Sequence, residues 1–376
     1  MNAERLHVIA KAIRADLNST NLVATLQNLM SNLQNQISNP QQPQFQQQVG
    51  EILKGLTATL PTSASENFNP TWRQVIRQME VEDILGSALQ QKIDSVFSRN
   101  QITPSIALQE VQTVFNRVQA LSAALDQILA AFQTLKIGSE ELQPGACEIG
   151  VLVPRSYVDN RLDKFGSERQ ELDQIFEVFA ELTTGSRGGF GIRSISSTDL
   201  SVFLDAVTPT AACIAIALER VVALYKQLLE VRKLKNELAK QGLEKDDLKG
   251  VENHANTMMD KGIEEVVKQL IEEFYKAKDD GRKNELTIEL RFALKKVANR
   301  IDRGFNVEVR AEPKTPQSGE QAAEADQRAA DFITRIQSST KTLQFIKLEG
   351  DPILSLQEAE GGKAKKEAEG EKAKKR

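Results

Sequence analysis

The chain is 376 residues long, a length at which two or three structural units are expected and a substantial core can be buried. Aromatic residues make up only 5% of the sequence, and glycine and proline are also sparse, which favours helical structure. The net charge of −4 gives no general attraction to nucleic acid or to anionic membranes, so any such binding would have to be local.

Apolar runs and cysteines indicate the cellular setting. The longest apolar run, Thr210–Leu218, is far shorter than the ~20 residues that a transmembrane helix needs. The first seven residues contain an early acid and no apolar signal core, which argues against secretion. The two cysteines, Cys147 and Cys213, are too few for a disulfide framework. We therefore expect a cytoplasmic protein that does not bind membranes.

Helical periodicity predicts an N-terminal helical bundle over residues 1–143. In chain order the predicted elements are two helices in residues 1–38, a polar linker at Pro40–Gln48, a short helix at Val49–Leu56, a helical pair from Trp72 to about Phe97, and a long amphipathic helix that starts at Thr103-Pro104. Few charged side chains lie on these helices, so this part of the chain is poorly suited to hold a strongly charged ligand.

Residues 144–310 begin at the Pro144-Gly145 boundary and are predicted to form a central α+β domain. In chain order the predicted elements are a strand at Glu148–Val153, a helix that opens with a capping box at Ser167 and Gln170 and ends near Thr184, a strand at Phe190–Ser196 that leads through a turn into the 209–238 helix, a helical hairpin between Ala255 and Ile301, and a strand at Phe305–Arg310. The glycine-rich segment Ser186–Gly191 follows a helix and precedes a strand, the reverse of a phosphate-binding loop, so we interpret it as a helix end and turn.

The 209–238 helix is predicted to form the core of this domain. Thr208 followed by Pro209 is a strong helix start. Apolar residues then cover more than half of the circumference, so we expect other elements to surround the helix. Beyond Arg232 the apolar residues Val231, Leu234 and Leu238 lie on a rotated face, which predicts that the far end packs on a different neighbour.

The remaining residues are predicted to be less regular. Residues 311–357 hold a modest helix and a possible further strand at Leu343–Leu348. Residues 358–376 form a Glu/Lys repeat whose largest apolar residue is alanine, and we expect disorder there. The predicted fold class is mainly α with a small mixed β-sheet (α+β), in which the N-terminal helical bundle precedes a strand-helix-strand-helix domain with a helical hairpin.

Candidate catalytic and metal-binding groups are scarce. The two histidines, His7 and His254, are far apart in sequence, and no zinc-ligand spacing is present. Adjacent acids such as Glu264-Glu265 point about 100° apart on a helix and do not converge on one atom. We therefore predict no catalytic, cofactor-binding or metal-binding residues.

One helix carries a candidate partner-binding surface. Ile288 and Phe292 lie a turn apart, away from the apolar line of their helix, and Lys296 and Arg300 border them. Either another part of the chain covers the two apolar residues, or they bind a partner. A further basic cluster, at the end of the 209–238 helix, comprises Lys233, Lys235 and Lys240, and with Lys296, Arg300 and Arg303 it is the material for nucleic-acid binding.

The functional expectation is a non-enzymatic cytoplasmic interaction or scaffold protein that associates with itself or with a protein partner through helical, coiled-coil-like surfaces. One alternative is a nucleic-acid-associated regulatory protein that uses the basic helix ends. A second alternative is an enzyme whose site the sequence does not reveal.

Overall fold

A computed structural model describes residues 3–100, 102–196, 200–242, 248–313, 324–343, 346 and 348–357. The chain divides into two compact units, Met1–Glu141 and Leu142–Arg376. The predicted fold class is confirmed, because the chain is mainly helical and contains one small sheet. The repeat tail at 358–376 lies outside the described residues.

The first unit consists of α-helices, with short turns of 3₁₀ helix between α3 and α4 and between α4 and α5. Its helices are α1 (Ala3–Ser19), α2 (Leu22–Ser38), α3 (Pro43–Thr59), α4 (Pro70–Gln78), α5 (Gly86–Arg99) and α6 (Pro104–Thr134). Helix α3 begins within the predicted linker, because Pro43 occupies the first helical position, where a missing N–H costs nothing. The core includes Ile9, Leu26, Leu89 and Val118, all at least 99% buried.

The second unit combines five helices of the described residues with the sheet. Its elements in chain order are β1 (Cys147–Leu152), α7 (Leu162–Thr184), β2 (Gly191–Ser196), β3 (Ser201–Ala206), α8 (Thr208–Lys240), α9 (Lys249–Phe274), α10 (Asp280–Asp302), β4 (Asn306–Ala311) and α11 (Glu324–Thr342). The predicted strand-helix-strand-helix succession is present, and strand β3, which was not predicted, adds one strand between β2 and α8. Helix α7 starts at Leu162, and Ser167 lies inside it with its hydroxyl donating to Asp163 O, so the predicted capping box is wrong.

The sheet has the strand order β2-β3-β1-β4, and every neighbouring pair is antiparallel rather than mixed. Its inner face carries Ile149 and Val151, which belong to the same core as helix α8. On the outer face a Cβ atom at Gly150 would lie 2.8 Å from Phe203 Cε1. The Phe203 ring therefore lies against the backbone of the central strand, and only glycine fits at this position.

Helix α8 lies within the core of the second unit, together with residues of the sheet and of the other helices. It starts at Thr208 with Pro209 in its first turn, and its residues from Thr210 to Leu218 are all buried. Contacts with the sheet, with α7, α9, α10 and with α11 surround it. Among the described residues, neither this helix nor any other is long and apolar enough to cross a membrane.

Replacing Leu218 with alanine is expected to lower the free energy of unfolding by about 2–5 kcal/mol, because Leu218 is only 4% exposed and its loss leaves a cavity. Glu230, exposed on the same helix, serves as the control, and Glu230→Gln should change the stability by no more than about 0.5 kcal/mol. Chemical denaturation of the two variants gives the comparison. Equal midpoints would contradict the assignment of α8 as the core.

The last described residues, 348–357, bind to the far end of α8 and to the hairpin of α9 and α10. Arg232 donates to Glu349 O at 3.0 Å and to Gly350 O at 2.6 Å, and Asp302 Oδ2 accepts from the N–H groups of Ile353 and Leu354 at 2.8 and 2.7 Å. The Asn299 side chain binds Leu356 twice: Asn299 Oδ1 accepts from the Leu356 N–H, and Asn299 Nδ2 donates to the Leu356 carbonyl, each at 3.0 Å. This segment is therefore attached to the body through its backbone.

The described parts of residues 311–357 pack within the second unit. Ala311 ends strand β4, helix α11 contacts α8 and β4, and residues 348–357 bind α8 and α10. The described residues of the predicted strand, Leu343, Ile346 and Leu348, are not in a strand. The far end of α8 does meet a different neighbour, residues 348–357, through Arg232 and Lys235. On the predicted face Val231 packs against the core, whereas Leu234 is 51% exposed.

Candidate functional site

The predicted partner surface on α10 is divided between solvent and core. Ile288 is 39% exposed and Phe292 is partly buried, with Lys295 Nζ 5.9 Å from the centre of its ring. Lys296 donates to Glu171 Oε2 of α7 at 2.6 Å. Arg300 is 5% exposed and is not available at the surface. The four residues therefore do not share one exposed patch, and partner binding by Ile288 and Phe292 stays a prediction.

Arg300 takes part in a buried ion pair with α7. Its Nε and a terminal nitrogen donate to the two carboxylate oxygens of Glu168 at 2.6 and 3.1 Å, and both side chains are 6% exposed. Such a two-point pair holds α7 and α10 in a fixed orientation.

Several of the basic residues proposed for nucleic-acid binding have partners within the chain. Lys235 lies 2.7 Å from Glu252 Oε1 and donates to Pro352 O at 2.9 Å. The Arg303 guanidinium lies 6.0 Å from the centre of the Tyr157 ring. Lys233 and Lys240 are exposed. The six basic residues therefore do not form one uncompensated positive stripe, because Lys235, Lys296 and Arg300 are paired with carboxylates.

Groups that often carry chemistry are placed apart from one another. Cys147 and Cys213 are 2% and 0% exposed, and burial raises the pKa of both thiols, which disfavours the reactive thiolate. His7 is held near Ile137 O at 2.9 Å, and His254 is exposed on α9. In the part of the chain that the structure describes, no three His, Cys, Asp or Glu side chains are arranged to hold a metal ion.

Strand β2 presents an exposed apolar edge, which we call the β2 edge and define as Gly191–Ser196. Ile192 is 57% exposed and Ile195 is 49% exposed. Ile192 pairs with Leu204 and Ile195 pairs with Val202, so both isoleucines lie on the inner face of the sheet. Among the described elements only β3 contacts β2 extensively. The helices that bury the inner face at β1 therefore do not extend over β2.

The opposite edge of the sheet is covered. Helix α11 packs against β4, and the Thr340 hydroxyl donates to Val309 O on that strand at 2.9 Å. Uncovered sheet edges present unpaired backbone groups that can bind another strand, and proteins commonly protect them. Of the two edges, only the β2 edge is without a described helix or strand beside it.

Charge at the β2 edge is compensated within the sheet. Arg193, the one charged residue of β2, lies 2.8 Å from Asp205 Oδ1 and 3.6 Å from Glu148 Oε2. Glu148 also lies 3.4 Å from Arg310 on β4, so the ion pairs run across the outer face of the sheet. The β2 edge therefore presents isoleucines on one face and a neutralised arginine on the other.

Sequence reasoning predicted strand β2 from its alternating residues but not its exposed edge. Exposure of an edge depends on strand order and on where the helices end, and neither is written in the local sequence. One feature of the sequence could have indicated an irregular strand here. Ile192 and Ile195 are three residues apart, and this spacing would place them on opposite faces of a regular strand.

Comparison of the chain with protein-family models, with curated proteins and with solved structures gives no significant match.

Proposed function

We propose that this protein acts by binding another protein chain, without chemistry of its own, and that the β2 edge is the binding surface. The observation that carries the proposal is the exposure of Ile192 and Ile195 on an edge strand whose inner face continues the core. An added strand would hydrogen-bond to the edge, and apolar side chains on it would cover the isoleucines. This is the role of an interaction or scaffold protein.

The ion pairs on α8 and α10 favour a protein partner over nucleic acid. Binding to a phosphate backbone requires uncompensated positive charge, and Lys235, Lys296 and Arg300 each face a carboxylate of this chain. The β2 edge has the opposite character, because its exposed groups are apolar. A reducing compartment such as the cytoplasm would suit the two buried, unpaired cysteines.

Replacing Ile195 with lysine is expected to abolish binding of the partner, because a lysine on an edge strand opposes pairing with another strand. Its side chain is 49% exposed, so the melting temperature should hardly change. The measurement is affinity purification of the tagged full-length protein after chemical cross-linking in cells, with bound proteins, including untagged copies of this chain, identified by mass spectrometry.

Ile288→Lys is the matched control, because Ile288 is an exposed isoleucine on a helix rather than on a strand edge. We expect the control to retain every protein that the unchanged chain retains. The proposal fails if Ile195→Lys retains the same proteins as the control. Loss of binding in Ile288→Lys alone would instead place the partner surface on α10, as the sequence predicted.

A further inference from the structure

The β2 edge carries a β-bulge that determines which strand can pair with it. Ile192 opposes Leu204 and Ser194 opposes Phe203, so Arg193 is the extra residue on β2. The bulge is the reason that Ile192 and Ile195 share the inner face despite their three-residue spacing. A regular strand added at this edge would meet the irregularity without a matching residue, which weakens the pairing.

A second copy of the same strand has the matching irregularity. We infer that β2 pairs antiparallel with β2 of a second copy of this chain, about a twofold axis between Arg193 and Ser194; the inference rests on the proposed function of the β2 edge. In this register Ile192 lies opposite the second copy's Ile195, and Arg193 lies opposite its Ser194. The extra residue of each strand then lies beside that of the other.

Charge and shape agree with this register. Each Arg193 lies opposite a serine rather than opposite its own copy, and each is already neutralised by Asp205 at 2.8 Å. A twofold axis perpendicular to the sheet keeps the inner faces of both copies on one side. The four isoleucines therefore form one apolar strip between the two sets of helices, and the two four-stranded sheets join into one.

The β2–β2 contact between two copies is small, so we expect a weak dimer. Each copy contributes a strand of six residues. Specific interfaces usually bury about 1,200–2,000 Å² in total, and one strand pair lies at the low end. We expect a reversible dimer whose fraction increases with protein concentration.

The register is tested with two single-cysteine additions, Ile192→Cys and Ile195→Cys, in the full-length protein. Residues directly opposite in an antiparallel pair have Cα atoms about 4.5–5.5 Å apart, within the range for a disulfide. Mild oxidation of the mixed variants should give a disulfide-linked dimer, and either variant alone should give far less. The native cysteines are buried and should not interfere.

A mixture of Ile106→Cys with Ile192→Cys is the matched control and should stay unlinked, because Ile106 is a 44% exposed isoleucine on α6 that belongs to neither candidate surface. Sedimentation velocity at increasing concentration should show the dimer in the unchanged chain and in Ile106→Lys, and monomer in Ile195→Lys. A monomer at every concentration, or a dimer that persists in Ile195→Lys and is not cross-linked in the Ile192→Cys and Ile195→Cys mixture, overturns the inference. If the unchanged chain is monomeric yet Ile195→Lys loses a different protein in cells, the second copy is excluded and the proposed function survives.

Discussion

Replacing Asp302 with alanine is expected to lower the free energy of unfolding of the second unit by about 3–5 kcal/mol, because the change leaves a buried arginine without its counter-charge. Asp302 is 0% exposed and lies 2.8 Å from a terminal nitrogen of Arg232, which is itself 4% exposed. The Tyr225 hydroxyl donates to the same carboxylate at 2.6 Å.

The geometry around Asp302 explains why the effect should be large. Oδ1 accepts from Tyr225 and Arg232, and Oδ2 accepts from the backbone of Ile353 and Leu354. Burial, reinforced by the adjacent carboxylate, raises the pKa of Tyr225 further above neutral pH, where a tyrosine hydroxyl is already protonated and able to donate. One carboxylate thus accepts from α8 and from the last described segment. Its loss removes the acceptor of the Tyr225 hydroxyl and of the Ile353 and Leu354 N–H groups. The same loss leaves Arg232 with carbonyl acceptors but no counter-charge.

Asp163→Ala provides the matched control. Asp163 lies 3.0 Å from Arg161 Nε, close to the distance in the buried pair, but both side chains are 64% exposed. Solvent-exposed pairs contribute little to stability, so the control should remain close to the unchanged protein. Urea denaturation measures both variants, and limited proteolysis should cleave near residues 348–357 faster in Asp302→Ala. Equal denaturation midpoints for the two variants would contradict the prediction.

A double variant separates the charge effect from packing. Arg232→Met combined with Asp302→Leu removes both charges, so no uncompensated ion remains buried. We expect the double variant to lose less stability than the sum of the two single changes.

Local sequence patterns were sufficient for most of the helices and for strands that alternate. Pro209 and Pro104 lie in the first turns of α8 and α6 as predicted. Strand β3 was missed because Val202, Phe203 and Leu204 are consecutive apolar residues, and Val202 and Phe203 are each 3% exposed. A strand covered on both faces does not alternate, so periodicity gives no signal for it.

The buried polar contacts could not be predicted, because their partners are distant in sequence. The pattern of the 209–238 helix indicates only that its apolar residues shift to another face at Arg232. In the structure the Arg232 side chain binds the Asp302 carboxylate and the carbonyl groups of Glu349 and Gly350. The bulge at Arg193 could not be predicted for the same reason, because it depends on the register between β2 and β3. Sequence periodicity describes the surroundings of one element, whereas these features arise between elements.

Replacing Arg300 with alanine is expected to cost about 3–5 kcal/mol of unfolding free energy in the second unit, because the carboxylate of Glu168 would stay buried without its cation. The sequence pattern predicts Arg300 at a partner surface, because it lies one turn from Lys296 and borders Ile288 and Phe292. Its actual partner, Glu168, lies 132 residues earlier in the chain. The two assignments predict opposite results for stability and binding.

Lys296→Ala is the control, one turn away on the same helix. Its partner Glu171 is 41% exposed, so solvent can hydrate the carboxylate that remains, and we expect a loss below about 1 kcal/mol. Arg300→Lys should recover only part of the stability, because one ammonium cannot reproduce two parallel bonds to the two oxygens of Glu168. Thermal denaturation and sedimentation velocity on the same samples decide between the assignments. If Arg300→Ala keeps its melting temperature but associates more weakly, Arg300 belongs to the partner surface. If the melting temperature falls and the folded protein still associates, the role of Arg300 is to join α7 and α10.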